Sequence, residues 1–258
     1  MRFCLLGSGS KGNSIYIESR STAIIIDQGF SHKDLNRRLE VRGLEASSIS
    51  GILVTHEHQD HIRGVGITAR KLNIPVYATA GTLNRKRSIF NGGELLNPIE
   101  SGEPFSLGPF EILPYRVSHD AEDPVQYCIR TGKKKISVAT DLGFVSTLVE
   151  QCLQDSDLVV VEANHDVDML KKGSYPWHLK QRIMSRVGHL SNKNAADIIF
   201  NISSRSKKPK IVLAHLSEEN NRPDLAEKAV RELFERFDRP VEHLCIALQD
   251  GPTDIFDV

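Results

Sequence analysis

Short apolar runs recur along the chain, each closed by a polar or charged residue, and stretches of helical periodicity separate them. The runs predict strands near residues 2–6, 14–18, 22–26, 51–54, 75–78, 110–117, 125–130, 135–140, 157–162, 211–214 and 243–248. Helices are expected in the gaps. Ser31 with Asp34 opens one that ends before Gly43, a second runs from His61 through Leu72, Ser191 opens a third through Asn201, and Arg222-Pro223-Asp224 opens a fourth. In that last helix Leu225, Ala229, Leu233 and Phe237 recur at spacing four and predict its core-facing stripe. The alternation reads as a layered α/β fold, and with no linker or repeat to divide it, residues 1–258 are expected to form one domain.

The residues that close the strands are the chemically informative ones. The run Gly51-Ile52-Leu53-Val54 leads into Thr55-His56-Glu57-His58-Gln59-Asp60-His61, which gathers three imidazoles and a ligating carboxylate into six positions on a strand-to-helix loop. In extended chain, residues two apart point the same way, so His56 and His58 can chelate one cation while Asp60 and His61 turn toward a second. Other strand ends repeat the theme: His119 follows 110–117, Asp141 follows 136–140, and His215 follows 211–214. Asp27 ends the run 23–26, either to orient a ligand histidine or to form a turn. Gly7-Ser8-Gly9-Ser10-Lys11-Gly12 matches a dinucleotide fingerprint by letter, but the alternating run after it predicts a strand where a phosphate-binding helix should start. A glycine-rich hairpin is the better reading, and Ser10, Lys11 and Asn13 on it are candidates to approach a substrate phosphate.

Composition narrows the partners. Lys plus Arg and Asp plus Glu are 33 each, so the formal net charge is zero and a nucleic-acid surface, if there is one, must be local. The basic runs 85–87, 133–135 and 205–210 could grip phosphates, but such runs ordinarily read as solvated faces. Cys4, Cys128, Cys152 and Cys245 lie in mostly apolar segments without a C-x-x-C pair and read as reduced core residues, which favours the cytoplasm. No apolar stretch is long enough for a membrane span. Trp177, at a helix start, could stack a base, but packing is the expectation.

A strand-end Asp, then H-x-H-x-D-H, then His, Asp and His in that order, resembles the metallo-β-lactamase superfamily over nearly the whole chain. The resemblance implies an αββα sandwich of two packed mixed sheets. It also implies two divalent ions, zinc or manganese, with His56, His58 and His119 on the first, Asp60, His61 and His215 on the second, and Asp141 bridging them. Val161-Glu162-Ala163-Asn164, Gly188-His189-Leu190-Ser191 and the segment around His215 are similar to ribonuclease Z and related nucleases. That similarity gives His189 the role of general acid and Glu162 that of its orienter, with Asp60 counted among the catalytic groups as well as the ligands. No long Gly- and Pro-rich insertion matches the substrate arm of ribonuclease Z, so transfer-RNA processing is not expected. The strings S-G-S-K-G-N, S-H-D-A-E-D-P-V, E-A-N-H-D-V-D-M-L and Y-P-W-H-L-K-Q-R-I resemble a YycJ/WalJ/VicX-like branch, associated with 5′-directed exonuclease action on DNA and with two-component regulatory operons. The expected function is a dinuclear phosphodiesterase using a metal-bridging hydroxide, most simply a nuclease acting on DNA rather than RNA. Ser217, Asn220 and Asn221 are candidate anchors for a terminal phosphate. The alternatives are a phosphodiesterase for cyclic phosphoribosyl or nucleotide substrates, and a regulatory binding protein.

Overall fold

A computed structural model describes residues 1–203 and 208–258, so residues 205–207 of the third basic run lie outside the described residues. The chain divides into two compact units: residues 1–116, 121–134 and 248–258 form the first, and 117–120 with 135–247 form the second.

In chain order the first unit holds β1 (Arg2–Gly7), β2 (Ser14–Ser19), β3 (Thr22–Ile26), α1 (His32–Val41), β4 (Ile49–Leu53), α2 (Gln59–Ile62), α3 (Val65–Leu72), β5 (Val76–Thr79), α4 (Ala80–Arg85), β6 (Leu96–Ile99), β7 (Phe105–Leu107), β8 (Phe110–Arg116) and β9 (Val125–Thr131). The second holds β10 (Lys134–Ala139), α5 (Thr147–Leu153), β11 (Leu158–Glu162), α6 (Val167–Lys172), α7 (Trp177–Ile183), α8 (Asn192–Ser203), β12 (Lys210–Ala214), α9 (Pro223–Glu235) and β13 (Leu244–Ile246), and β14 (Phe256–Asp257) returns to the first.

The first unit's sheet runs β14-β1-β2-β3-β4-β5-β6, antiparallel as far as β3 and parallel from β3 onward. The glycine-rich segment is indeed the β1–β2 hairpin. Cys4, Tyr16, Ile25, Ile52 and Val54 from this sheet pack with Leu35 and Leu39 of α1 and with Val65 and Ala69 of α3 in one buried cluster. The strands β7, β8 and β9 make an antiparallel meander, and the Tyr127 hydroxyl on it donates to the Val54 carbonyl at 2.7 Å, just ahead of the histidine-rich loop. In the second unit β10, β11, β12 and β13 are all parallel. Every residue of β11 is buried, as a central parallel strand covered on both faces requires.

Parallel strands bring their carboxyl ends to a common edge, where loops can carry chemistry. In the first unit Ile26 pairs with Leu53, so Asp27 and the Thr55–His61 loop leave neighbouring strands together. In the second, Ala139 pairs with Val161 and Glu162 with Ala214, which aligns Asp141, Glu162 and His215.

Three expectations need correction. The helix over His61–Leu72 is two helices, α2 and α3, broken at Gly64, where a Cβ would collide with the Phe30 carbonyl. The buried face of α9 is Ala226, Val230 and Phe234, so the core stripe lies one residue C-terminal to the predicted one, and Phe237 is 58% exposed. Trp177 is 62% exposed rather than packed. Cys4, Cys128 and Cys152 are buried and Cys245 is half-buried, all as thiols outside any disulfide. Among the described residues no helix is long and apolar enough to cross a membrane.

Candidate metal centre

Each unit carries a set of histidines whose inward-facing ring nitrogens are fixed by acceptors or hydroxyls. In the first, Asp27 is the fixed point. Its Oδ1 accepts the Thr55 backbone N–H at 2.8 Å, and its Oδ2 accepts the Thr55 hydroxyl at 2.8 Å and His61 Nδ1 at 2.7 Å. Having given its proton to Asp27, the Thr55 hydroxyl faces His56 Nδ1 at 2.9 Å as an acceptor. Nε2 is thereby the acceptor nitrogen of both rings, and in His61 it faces the Asn13 side-chain amide at 3.1 Å. His56 Nε2 lies 3.0 Å from His58 Nδ1, with the two rings edge to face at 80°, close to the spacing of about 3.3 Å expected for two nitrogens on one tetrahedral cation. Asp60 Oδ2 is 3.3 Å from His61 Nε2. Burial drives the Asp27 carboxyl upward, while His61 and the Thr55 hydrogen bonds oppose that shift without cancelling it.

Two further residues hold this loop. A Cβ at Gly29 would collide with the Asp60 carbonyl, so the close approach there requires glycine. Asn13, expected to meet substrate, is instead buried against the loop. Its backbone N–H donates to the Asp60 carbonyl at 2.7 Å, its Nδ2 reaches Asp60 Oδ2 at 3.1 Å and the Gly9 carbonyl at 3.0 Å, and its Oδ1 accepts the Gly9 N–H at 2.9 Å. Ser10 and Lys11, at the hairpin tip, are exposed.

The second unit is organised by Glu162, which is fully buried. Its Oε1 accepts His189 Nδ1 at 2.7 Å and His215 Nδ1 at 2.8 Å, and its Oε2 accepts the N–H groups of Leu190 at 3.1 Å and Leu142 at 3.3 Å. A carboxylate only accepts, so both rings carry hydrogen on Nδ1 and present Nε2. Burial alone would raise the Glu162 carboxyl, but His189 and His215 outweigh it and hold it at about 2. For His189, burial disfavours the cation, and the adjacent Glu162 more than compensates, so its proton affinity rises. His119 donates from Nδ1 to the Gly188 carbonyl at 3.2 Å and also keeps Nε2 to offer. Asp141, Glu162, His189 and His215 each offer an atom within 4.8 Å of the others.

Asp27, Asp141 and His215 all have φ between 54° and 59°, left-handed backbone in non-glycine residues at the ends of strands. Such conformations persist where surrounding structure enforces them. No sequence signal announced them, nor the second imidazole on Glu162.

The loop after His215 turns inward. Asn220 and Asn221 are buried; Asn221 exchanges amide hydrogen bonds of 2.8 Å with Asn192 and donates to the Ala163 carbonyl, and the Asn220 N–H donates to Ser217 Oγ at 3.1 Å. These contacts brace the loop, whereas Ser217 is half-buried. His165 is buried with Nδ1 lacking a hydrogen-bond partner, and burial pushes its ring down to about 4, so it is neutral. Lys135, in the second basic run, is buried and donates to the Gln154 carbonyl at 2.7 Å, leaving Lys133 and Lys134 exposed.

The profile of the β-lactamase superfamily domain matches residues 22–215. The chain is 37% identical over 237 residues to the exodeoxyribonuclease YycJ of Bacillus anthracis, covering 91% of this chain and 89% of that protein. It is 38% identical over 230 residues to the exodeoxyribonuclease WalJ of Streptococcus pneumoniae, covering 87% and 85%. Among solved structures, the metallo-β-lactamase fold protein YhfI of Bacillus subtilis superposes with a TM-score of 0.75 at 16% identity, over 98% of this chain and all of that one. The likeness in fold bears out the expected αββα architecture.

Proposed function

Because the chain belongs to the metallo-β-lactamase superfamily, in the branch of YycJ and WalJ, we propose that it is a metal-dependent phosphodiesterase that shortens DNA from a 5′ end. The observation that carries this reading is the Glu162 clamp: one buried carboxylate fixes a ligand-type histidine, His215, and a more open histidine, His189, by the same oxygen. Hydrolysis of an unactivated phosphodiester needs both, a metal ligand and a group that protonates the departing sugar oxygen.

The donor set suits divalent ions, since imidazoles already oriented through their other nitrogens stand beside carboxylates, and such sites accept zinc and manganese alike. We infer two ions per chain, shared as the family pattern assigns them: His56, His58 and His119 for one, Asp60, His61 and His215 for the other, and Asp141 for both. When bound, such ions activate water at neutral pH and neutralise charge on the phosphate. The chain's own residues supply the rest. Asp27 and Glu162 fix the tautomers of His61 and His215, and His189, its proton affinity raised, has Nε2 left to deliver a proton. The exposed hairpin tip at Ser10 and Lys11, with Ser217, offers donors for a terminal phosphate.

The test compares linear 5′-phosphorylated DNA with closed circular single-stranded DNA, alongside elemental analysis. Shortening of the linear strand only, with close to two metals per chain, is expected, and Asp141→Ala should lose at least one metal and nearly all turnover. Equal cutting of the circle would overturn end direction. Inertness toward both DNAs with rapid hydrolysis of a cyclic phosphodiester would move the protein to small substrates.

A further inference from the structure

The segment from Lys171 to Val187 has no part in the chemistry above, yet its composition is unlike the rest of the chain. It carries five cations, Lys171, Lys172, Lys180, Arg182 and Arg186, and no carboxylate, in a protein whose net charge is zero. It also exposes large apolar side chains: Trp177 is 62% exposed, Met184 37% and Val187 42%. Trp177, Gln181 and Met184 follow one another at spacings of four and three, so they share the outward face of α7 and its last turn. Leaving an indole in water forgoes one of the larger burial gains available to any side chain.

The same segment is fastened to the candidate centre. The Ser118 hydroxyl donates to the Arg186 carbonyl at 2.8 Å, the Asp120 N–H to Val187 at 3.1 Å, and His119 Nδ1 to Gly188 at 3.2 Å, while the His189 N–H donates back to Ile183 at 2.9 Å. Lys180 fixes the other end, donating to the carbonyls of Lys171 at 2.8 Å and Gly173 at 2.7 Å. The apolar face therefore ends on the loop that positions His119 and His189. Exposed cations bracket it along the chain, Lys171 and Lys172 before it and Arg186, stacked over Phe144 at 4.0 Å, after it.

We propose that this face is a platform for single-stranded nucleic acid, with Trp177 stacking on a base and Lys171, Lys172 and Arg186 attracting the phosphates, so that the strand is led toward His189. Charge complementarity and an exposed indole together identify the occupant. A polyanion with accessible aromatic faces satisfies both, and every base has such a face, so the platform is indifferent to sequence. Within a duplex the bases are already stacked on one another, which leaves the indole only the two end faces. The inference rests on the nuclease reading, which it deepens by naming the form of the substrate.

Trp177 is the one tryptophan in the sequence, so its emission reports on this face alone. The full-length protein is titrated with a 12-nucleotide single-stranded phosphorothioate oligonucleotide, labelled so that anisotropy reports binding in the same cuvette. Saturable quenching that weakens with salt, and is much smaller with a blunt duplex of the same sequence, is expected. With cleavable strands, Trp177→Ala should raise KM by roughly tenfold, the penalty growing with length from a dinucleotide to the 12-mer, and Trp177→Phe should restore most of it. Binding by anisotropy without any change in emission, or a KM unaffected by Trp177→Ala at every length, overturns the platform. Quenching as expected with no cleavage of any strand would leave the platform standing and defeat the nuclease reading; normal cleavage without quenching would do the reverse.

Discussion

Asp27 and Glu162 are two buried carboxylates at the carboxyl ends of parallel strands, one in each unit, and both hold histidines by Nδ1, yet they do so under different loads. Asp27 serves one imidazole and takes its other hydrogen bonds from a single residue, Thr55. Glu162 serves two imidazoles and two backbone N–H groups. Their proton affinities move in opposite directions, up for Asp27 and down to about 2 for Glu162, because one histidine does not offset full burial whereas two do. The difference separates an orienting role from a coupling role. On the proposed assignment, loss of Asp27 disturbs one ligand, and loss of Glu162 disturbs a ligand and the candidate acid together.

The sharpest way to break this contrast is Glu162→Ala. Removing the positioned acid costs on the order of 10² to 10⁴ and removing the orienter of a ligand another 10 to 100, so turnover on an unactivated DNA strand should fall by roughly 10³ to 10⁶, with metal loss visible by elemental analysis. A drop of only tenfold with full metal content would show that the two histidines hold their places without it. His189→Ala isolates half of that effect. A loss on the order of 10³ on DNA, a much smaller one on bis-p-nitrophenyl phosphate whose leaving group hardly needs a proton, and unchanged metal content are expected. Loss of metal in this variant would make His189 a ligand instead. Asp27→Asn, which keeps the shape but weakens the hold on His61, should cost 10 to 100-fold, recoverable in part by adding metal; full activity without added metal would remove Asp27 from the site's working parts.

How much of this could be read beforehand follows from the same contrast. The histidine-rich loop was legible because His56, His58, Asp60 and His61 are neighbours in sequence, and the strand ends at Asp141 and His215 because buried parallel strands are unbroken apolar runs. What escaped depends on contacts between distant residues. The role of Asn13 is set by Asp60, forty-seven positions away. The rotation of α9 arises because Phe234 and Phe237 both pack against Phe200 from α8, so that apolar residues lie on two adjacent faces and spacing alone does not say which is inside. The break at Gly64 reflects the carbonyl of Phe30, and β6 escaped because Pro98 and the exposed Leu96 give it no buried alternation. The exposure of Trp177 overrode the ordinary preference for burying an indole, and conflicts of that kind concentrate at functional surfaces.

The smallest effect, absent at neutral pH, separates the two units by their tolerance of alkali. In the first unit's sheet burial raises the Cys4 thiol from 9.0 to about 11 and the Tyr16 phenol from 10.0 to about 12. In each case the folded chain holds its proton more tightly than the unfolded chain. The stabilisation is therefore complete below pH 9 for Cys4 and below pH 10 for Tyr16, and it is lost as pH rises through about 11 and about 12. A shift of this size corresponds to roughly 3 kcal/mol per group at the far end of its window. Urea midpoints should accordingly hold steady to pH 9 and then decline, and Cys4→Ala, though less stable at neutral pH from the small cavity, should decline less steeply between pH 9 and 11. A native thiol of this kind should also resist alkylation at pH 8 in the folded protein and react on unfolding. If the slope of stability with pH is the same with and without Cys4, the thiol ionises in the folded chain as freely as in the unfolded one, and the first unit's sheet is open to water where it is expected to be closed.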